Sequence, residues 1–442
     1  MIKKLFYVAA IIILTLLPQR FAAADNGPEH QQEQTRPIRL GTSGGNINDS
    51  STNFCCGGTL GALVENNNGQ YILSNNHVLA GVNNALLGEE IIQPGLIDQY
   101  PVCLPDANDT VAYLSSFVVL KFKKGKNVPL NEVDAAIAQV IPGAVEPNGA
   151  VLDVGTVAAE TAVAVVGQLV KKSGRTTGLT FGKITAVDAT IDVGYSQECG
   201  GGGNNVACFK NQILIEAPAF CAGGDSGSLI VEDVNTNPRA VGLLFAGNSN
   251  GSLTIANPIN AVLNSLGVAM VGGTASPKLT GTIKGTVTNS TNAKPIAGAT
   301  VKVDTGETAT TNTDGTYFIG NVAVGAHTVE ASADAFKPQV KTATVYEDTE
   351  TVVNFALRPS KSRANSSFHS AIKHAADIKN RYEQNIFQLD DVVGAGVSLS
   401  EADEPVIEIY LEKDSAGTRA KIPKMLDDVS VRAVVTGRFK AL

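Results

Sequence analysis

The sequence predicts a mainly β protein of three folded units, and three observations predict it. Short apolar runs recur between about Leu40 and Met270, separated by clusters of Gly, Asn and Pro. Glycine accounts for 44 of 442 residues, and Val, Ile and Thr are abundant, a combination suited to short strands and tight turns. The composition then changes twice, near residues 276 and 361. At roughly 100–200 residues per domain, the length allows two to four domains. Charged residues make up 17% and hydrophobic ones 43%, which excludes a disordered chain and a coiled coil. With a net charge of −8 and no basic run, nothing electrostatic favours nucleic acid as a partner.

In chain order, residues 1–24 read as a signal peptide. Lys3 and Lys4 precede an apolar run over 5–17, and Ala22-Ala23-Ala24 follows, small residues of the kind found at a signal-peptidase site. The run is short for a bilayer span of roughly 20 residues. The expectation is a secreted or periplasmic protein, cleaved near Ala24, with no membrane attachment afterwards. Residues 25–37 are polar and read as a mobile leader. Residues 38–275 form the first unit, with strands expected at 60–64, 71–74, 118–122, 135–140, 213–217, 229–231 and 241–246. Many short strands with frequent turns suit a sandwich or barrels. Asn257, Pro258 and Gly267 frame Ile259–Leu266 as the N-cap, first turn and terminal Gly of a short helix.

Residues 276–360 are rich in Thr and Val, lack cysteine and read as a small β-sandwich, with Thr313-Asp314-Gly315 as a hairpin turn. Lys361 to Asn365 is a polar linker. Ile372, Ala375, Ile378, Tyr382 and Ile386 then recur at helical spacing. With strands at 392–399, 406–411 and 429–436, residues 361–442 make a small α+β unit. The acidic pairs Asp390-Asp391 and Asp427-Asp428 read as solvated turns rather than metal sites. The six cysteines lie between residues 55 and 221. An even number in an exported chain suggests disulfides, although six allow 15 connectivities. Cys199 and Cys208 bracket a Gly/Asn-rich loop and are candidates to pair, and Cys103 is a candidate for Cys55 or Cys56. The spacings fit no zinc pattern, and no metal or other cofactor is expected.

The most informative segment is Gly223-Gly224-Asp225-Ser226-Gly227-Ser228. A serine oxygen is a poor nucleophile unless a base takes its proton. A tight turn here exposes Ser226 and aims the amides of Gly224 and Ser226 at one point, as an oxyanion hole requires. The base follows by elimination. Of five histidines, His30 lies in the leader, and His327, His369 and His374 lie beyond the first unit. His77, at the end of an apolar run, shares a unit with Ser226. His327 falls in a strand pattern and reads as structural. The group that orients the imidazole is Asp134, a carboxylate among small apolar residues that is costly to bury unpaired. Asp98 is the second candidate.

The order His77, Asp134, Ser226 in a β-rich exported unit resembles the chymotrypsin-like serine peptidases. Cys56-Gly57-Gly58-Thr59-Leu60, Val133-Asp134-Ala135-Ala136-Ile137 and 241–247 are similar to that family's strand before the histidine, its aspartate motif and its substrate-pairing strand. Residues 172–180 resemble the streptogrisin and α-lytic peptidase group. The resemblance covers about 38–275. It implies two six-stranded barrels with the triad in the cleft between them, and protein or peptide substrates. It places Phe245, Ala246 and Gly247 on the substrate. Val78 follows His77 where the family has a cysteine. No Ile/Val-Val-Gly-Gly start is present to supply a cation for Asp225. Arg175 is the first candidate for that cation and Lys172 the second. The lack of another acidic residue just upstream of Ser226 argues against a preference for Lys or Arg, and favours a small or medium apolar residue. Residues 279–358 resemble the carboxypeptidase regulatory-like domain. Stretches between 392 and 437 are similar to a small unit found in bacterial exported peptidases. The expected activity is that of a serine endopeptidase. The rival reading is a non-catalytic or latent homologue acting as a surface binding protein.

Overall fold

The computed structural model describes residues 28–442 apart from 52–53, 100–102, 107, 126, 196–204, 249–250, 274–279, 347–348, 360–367 and 401–403. The expected signal peptide, the start of the leader, Cys199 and the linker from Lys361 to Asn365 lie outside the described residues.

The first barrel is formed by β1 (Thr42–Asn46), β2 (Gly58–Leu60), β3 (Ala62–Asn66), β4 (Gly69–Ser74), β5 (Glu90–Ile92), β6 (Thr110–Phe117) and, after the short β7 (Leu130–Asn131), β8 (Ala136–Val140). The pairings run β3-β4-β8-β6-β5-β1-β2. Because β2 runs straight into β3, the two act as one bent strand, and the six-membered ring closes. Closure removes the exposed edges that an open sheet would carry. Its interior holds Leu60, Leu63, Ile72, Leu73, Ile91, Val111 and Ile137.

A second ring comprises β9 (Leu169–Gly174), β10 (Gly178–Tyr195), β11 (Asn205–Glu216), β12 (Leu229–Glu232), β13 (Ala240–Gly247) and β14 (Leu253–Pro258). Its order is β10-β9-β12-β13-β14-β11, and β11 pairs back onto β10. β7 lies parallel to β11. The helix Ile259–Leu266 returns from this barrel and buries Ile259, Val262 and Leu263 in the core of the first. β15 (Ala269–Met270) then adds to β3.

The sandwich has two sheets. One joins β16 (Thr280–Asn289), β19 (Thr316–Ala323), β22 (Glu350–Val352) and β23 (Phe355–Leu357), and the other β17 (Thr300–Val303), β18 (Thr308–Thr310), β20 (Gly325–Ser332) and β21 (Gln339–Val345). Val287, Val301, Ile319, Val329 and Phe355 fill the space between them.

The C-terminal segment, read from the sequence as a small α+β unit, is joined to the second barrel. Its strands β24 (Val392–Leu399), β25 (Pro405–Leu411), β26 (Met425–Leu426) and β27 (Val429–Val435) form a sheet, and β24 pairs antiparallel with β10 of the second barrel. The helix Phe368–Ile386 covers this sheet through Ala375, Ile378 and Ile386, with Ile372 and Tyr382 at its margin. Lys379 is buried on the same helix and donates to Thr190 Oγ1 on β10 at 3.1 Å. The last strand, β28 (Phe439–Ala441), leaves the sheet and inserts between β10 and β13.

Several expectations are corrected. Residues 118–122 are a loop, and the strand there is β6, because β8 pairs with 112–117. The leader is ordered from Pro28. It starts with a helical turn, Pro28–His30, and His30 is buried against Ser173 Oγ (2.9 Å) and Asp153 (3.2 Å). Asn257 makes no helix cap. Its amide is drawn to the backbone of Asp134 and Leu243 instead. Cys55 pairs with Cys103. Cys208 carries a free, buried thiol, so it does not pair with Cys199. That thiol faces Asp192, and burial with the neighbouring carboxylate pushes its pKa up.

The Cys55–Cys103 bond closes a loop with a sequence separation of 48, for which loop-closure entropy stabilises by about 4 kcal/mol. Replacing both cysteines by serine is expected to lower unfolding free energy by roughly 2–4 kcal/mol in urea titrations. An unchanged midpoint would show that the reduced chain already holds this loop.

Candidate active site

His77 and Asp134 come from the same end of the antiparallel β4–β8 ladder, where Ser74 pairs with Ala136, and Ser226 from the turn before β12. The strand β4 ends at Ser74, and a one-turn helix, Asn76–Leu79, follows and carries His77. His77 Nδ1 lies 2.6 Å from Asp134 Oδ2, and the His77 amide donates to Oδ1 at 3.3 Å. The side chain of Asp134 has no solvent exposure. Its Oδ2 also accepts from the Tyr195 hydroxyl at 2.8 Å. Its backbone is fixed as well: Asn75 Nδ2 donates to the carbonyl at 2.7 Å, and the Asp134 amide donates to Asn257 Oδ1 at 3.1 Å. Two carboxylate oxygens thus receive three donors, which is how a buried charge is stabilised.

Burial opposes the His77 imidazolium, but the Asp134 charge and hydrogen bond, the Leu442 carbonyl and the Asp49 charge outweigh it and raise its pKa above 6.5. Asp49 is a second carboxylate close to this histidine, and burial pushes its pKa up to about 6. Burial also raises the Tyr195 pKa, reinforced by the Asp134 charge, so its hydroxyl remains a donor.

The turn before β12 is bound tightly to the first barrel. Thr59 Oγ1 donates to the Gly224 carbonyl at 2.9 Å, and the Thr59 amide donates to the Ser226 carbonyl at 2.8 Å. Glycine is required at both flanks. Gly227 has φ +93°, and a Cβ there would lie 2.2 Å from the Thr59 carbonyl oxygen. Gly224 has φ +98°, and a Cβ would lie 2.5 Å from Thr176 Oγ1. Among the described residues, the amides of Gly224 and Ser226 have no hydrogen-bond acceptor. Ser226 Oγ donates to the Phe245 carbonyl at 3.2 Å rather than to His77.

Asp225 is fully buried. It accepts from the amides of Thr176 (2.9 Å), Thr177 (3.1 Å) and Ala222 (2.9 Å) and from Thr177 Oγ1 (2.7 Å), and its cation is Lys172 at 3.5 Å. Arg175, the first candidate, instead forms a bidentate pair with Asp98 at 2.5 and 2.6 Å. The physical reason is geometric. Lys172 lies inside the second barrel on β9, whereas Arg175 sits past its end and points across to the first barrel. The same pair removes Asp98 as a partner for His77.

Phe245, Ala246 and Gly247, expected on the substrate, all lie on β13. Ala246 and Gly247 pair antiparallel with Ala441 and Lys440 of β28. The Leu442 amide lies 3.3 Å from the Phe245 carbonyl and 3.2 Å from Ser226 Oγ, and His77 Nε2 lies 3.3 Å from the Leu442 carbonyl. The sequence reading missed Leu442, Tyr195, Thr59, Asn75 and Asn257. Only Thr59 carried a signal, as a residue of the Cys56–Leu60 motif. His327 is tied to Asp304 (2.8 Å) and the Ala323 carbonyl (2.7 Å), consistent with a structural role.

Residues 282–358 match the family model described as carboxypeptidase regulatory-like domain, and residues 123–264 match one described as Nal1 C-terminal domain. No curated protein matches the chain. Among solved structures, it is similar to protease A of Thermobifida fusca, at 19% identity over 53% of this chain and 99% of that one, with a TM-score of 0.35. It is also similar to Cellulomonas bogoriensis chymotrypsin, at 22% identity over 49% of this chain and 91% of that one, with a TM-score of 0.30. A third neighbour is described as a glutamic acid specific serine protease, at 21% identity over 53% of this chain and 100% of that one, with a TM-score of 0.35.

Removing one partner of a buried ion pair leaves the other charge uncompensated, at a cost of about 3–5 kcal/mol. Lys172→Met is expected to destabilise by that amount in urea unfolding, while Lys172→Met with Asp225→Asn recovers much of it. A loss of under about 1 kcal/mol in the single variant would show that the threonine and alanine donors hold Asp225 alone. The first unit is thus a pair of six-membered β rings, and the unit after it matches the carboxypeptidase regulatory-like domain over residues 282–358.

Proposed function

We propose that the protein is an exported serine endopeptidase acting on protein or peptide substrates. The observation that carries this reading is the placement of one residue, Leu442, with its carbonyl oxygen 3.3 Å from His77 Nε2 and its amide 3.2 Å from Ser226 Oγ. A substrate held on β13 through the same amide would have its own carbonyl carbon within reach of the serine. His77 Nε2 takes the Ser226 proton as Oγ attacks the carbonyl carbon. The amides of Gly224 and Ser226 donate to the developing oxyanion, and His77 gives the proton to the leaving amine. Water then attacks the acyl-enzyme with His77 as base, releasing the acid and restoring Ser226. Asp134 holds the imidazole with Nδ1 as donor, and Tyr195 shares its charge. Asp225 and Arg175 are positioning residues: the first shapes the turn from inside the second barrel, the second ties that turn to the first barrel. No cofactor enters the reaction.

Export rests on the N-terminal pattern, and the Cys55–Cys103 disulfide agrees with an oxidising compartment. No helix among the described residues is long and apolar enough to cross a membrane.

A serine-directed fluorophosphonate is expected to label the full chain and not its Ser226→Ala variant, with the adduct on Ser226 by mass spectrometry. Failure to label properly folded protein under any condition would favour the non-catalytic binding reading. Asp134→Asn is expected to slow labelling by about 10⁴-fold, the loss seen when a triad histidine takes the wrong tautomer. The labelling rate needs neutral His77. Because the pKa is raised, the rate climbs with pH at values above 6.5, and Asp134→Asn moves that limb to lower pH. A pH-independent rate would exclude His77 as the base.

A further inference from the structure

The segment 439–442 fills the groove that a substrate would occupy, and this occupancy reads out what the groove accepts. Ser226 has no solvent exposure and His77 only 6%. β28 runs parallel to β10 at Val193↔Phe439 and antiparallel to β13 at Gly247↔Lys440 and Ala246↔Ala441. Phe439 is buried against Tyr410 and so anchors the segment to the C-terminal sheet, with ring centroids 6.2 Å apart. The Leu442 side chain packs against the apolar cluster of the second barrel that includes Phe220 and Cys221. A Cβ on Gly247 would come within 3.1 Å of Leu442 Cδ1 and 2.9 Å of Cys221 Sγ, so this wall tolerates no larger residue. The far wall is a Cys221 Sγ to Thr254 Oγ1 contact of 2.8 Å. Burial pushes the Cys221 thiol up to about 12, so it stays neutral.

The nearest charges give no partner to a charged side chain. Lys172 and Asp225 are consumed by each other and by the surrounding threonines. A buried ammonium or carboxylate on the substrate would stand unpaired there, at a large cost.

We infer that the groove is specific for peptides carrying leucine, or an aliphatic side chain of similar size, on the acyl side of the cleaved bond, and that residues 439–442 are its resident ligand. This deepens the peptidase reading and rests on it. The resident segment also disables the base. With Nδ1 committed to Asp134, a bond from Nε2 to the Leu442 carbonyl requires the imidazolium, which cannot accept the Ser226 proton. A tethered ligand of this kind acts at an effective concentration on the order of millimolar, and the β10–β24 ladder holds the tether in place.

The test uses the full chain and its Leu442→Asp variant, which places a charge in the apolar pocket and releases the segment. Fluorophosphonate labelling of Ser226 is expected to run roughly tenfold faster in the variant. Added acetyl-Phe-Lys-Ala-Leu is expected to slow it again, whereas acetyl-Phe-Lys-Ala-Lys does not. On p-nitroanilides of the same four residues, the variant is expected to prefer Leu over Lys or Glu in the last position by roughly 100-fold. Labelling of Leu442→Asp with equal or better cleavage of the Lys or Glu peptide overturns the specificity. Equal labelling rates in both proteins overturn the resident ligand, as does a Leu peptide that fails to compete. If Leu442→Asp does not fold, the same competition and cleavage series on the wild-type chain decides the specificity, since the Leu peptide must still outcompete the Lys peptide. No labelling of either folded protein would instead sink the peptidase reading itself.

Discussion

A carboxylate with no access to water must be met by donors, and the first barrel is arranged around meeting one. Asp134 receives the His77 ring, the His77 amide and the Tyr195 hydroxyl. These come from both barrels, so the charge can be satisfied only when the barrels are docked. Asn257 tightens the same joint by bonding the Asp134 backbone from the end of β14. The orientation of His77 is therefore a consequence of how the domain closes, and not of the short helix that carries it.

The second buried charge sets the other half of the site. Asp225 sits beside the nucleophile and ties the turn to Thr176, Thr177 and Lys172 inside the second barrel. Thr59 reaches across from the first barrel and holds both flanking carbonyls. Gly224 and Gly227 make the turn possible, because their positive φ and close contacts exclude a side chain. The result is a turn held from two sides with two amides that have no acceptor among the described residues, which is the state an oxyanion site needs.

The unit after the sandwich adds a third constraint. By pairing β24 with β10 it extends the sheet of the second barrel, and it returns β28 to the groove between β10 and β13. A hydrogen-bonding edge that is paired is closed to other strands, and here the chain itself pairs that edge.

Much of this was legible in the residues. Apolar runs and turn residues gave β4, β8, β12 and β13, and the helical spacing of Ile372 to Ile386 gave the long helix. His77, Asp134 and Ser226 could be singled out as candidates because histidines are few and the order His77, Asp134, Ser226 adds to a Gly-Asp-Ser-Gly turn that is an ordinary one by itself. The boundaries that failed, such as 118–122, lie where local apolarity reports loop burial rather than strand pairing. Cys208 was misassigned because loop-flanking spacing says nothing about where a thiol points.

Local chemistry, then, determined which residues were candidates: a serine in a glycine turn, one histidine in the first unit, a carboxylate in an apolar setting. Only the tertiary structure decided partners. Lys172 and not Arg175 faces Asp225, Tyr195 completes the shell of Asp134, and Leu442 reaches Ser226 across 216 residues of chain. Each of these depends on the direction of a side chain or strand after two barrels have closed, and closure is a property of long-range pairing that no local pattern encodes.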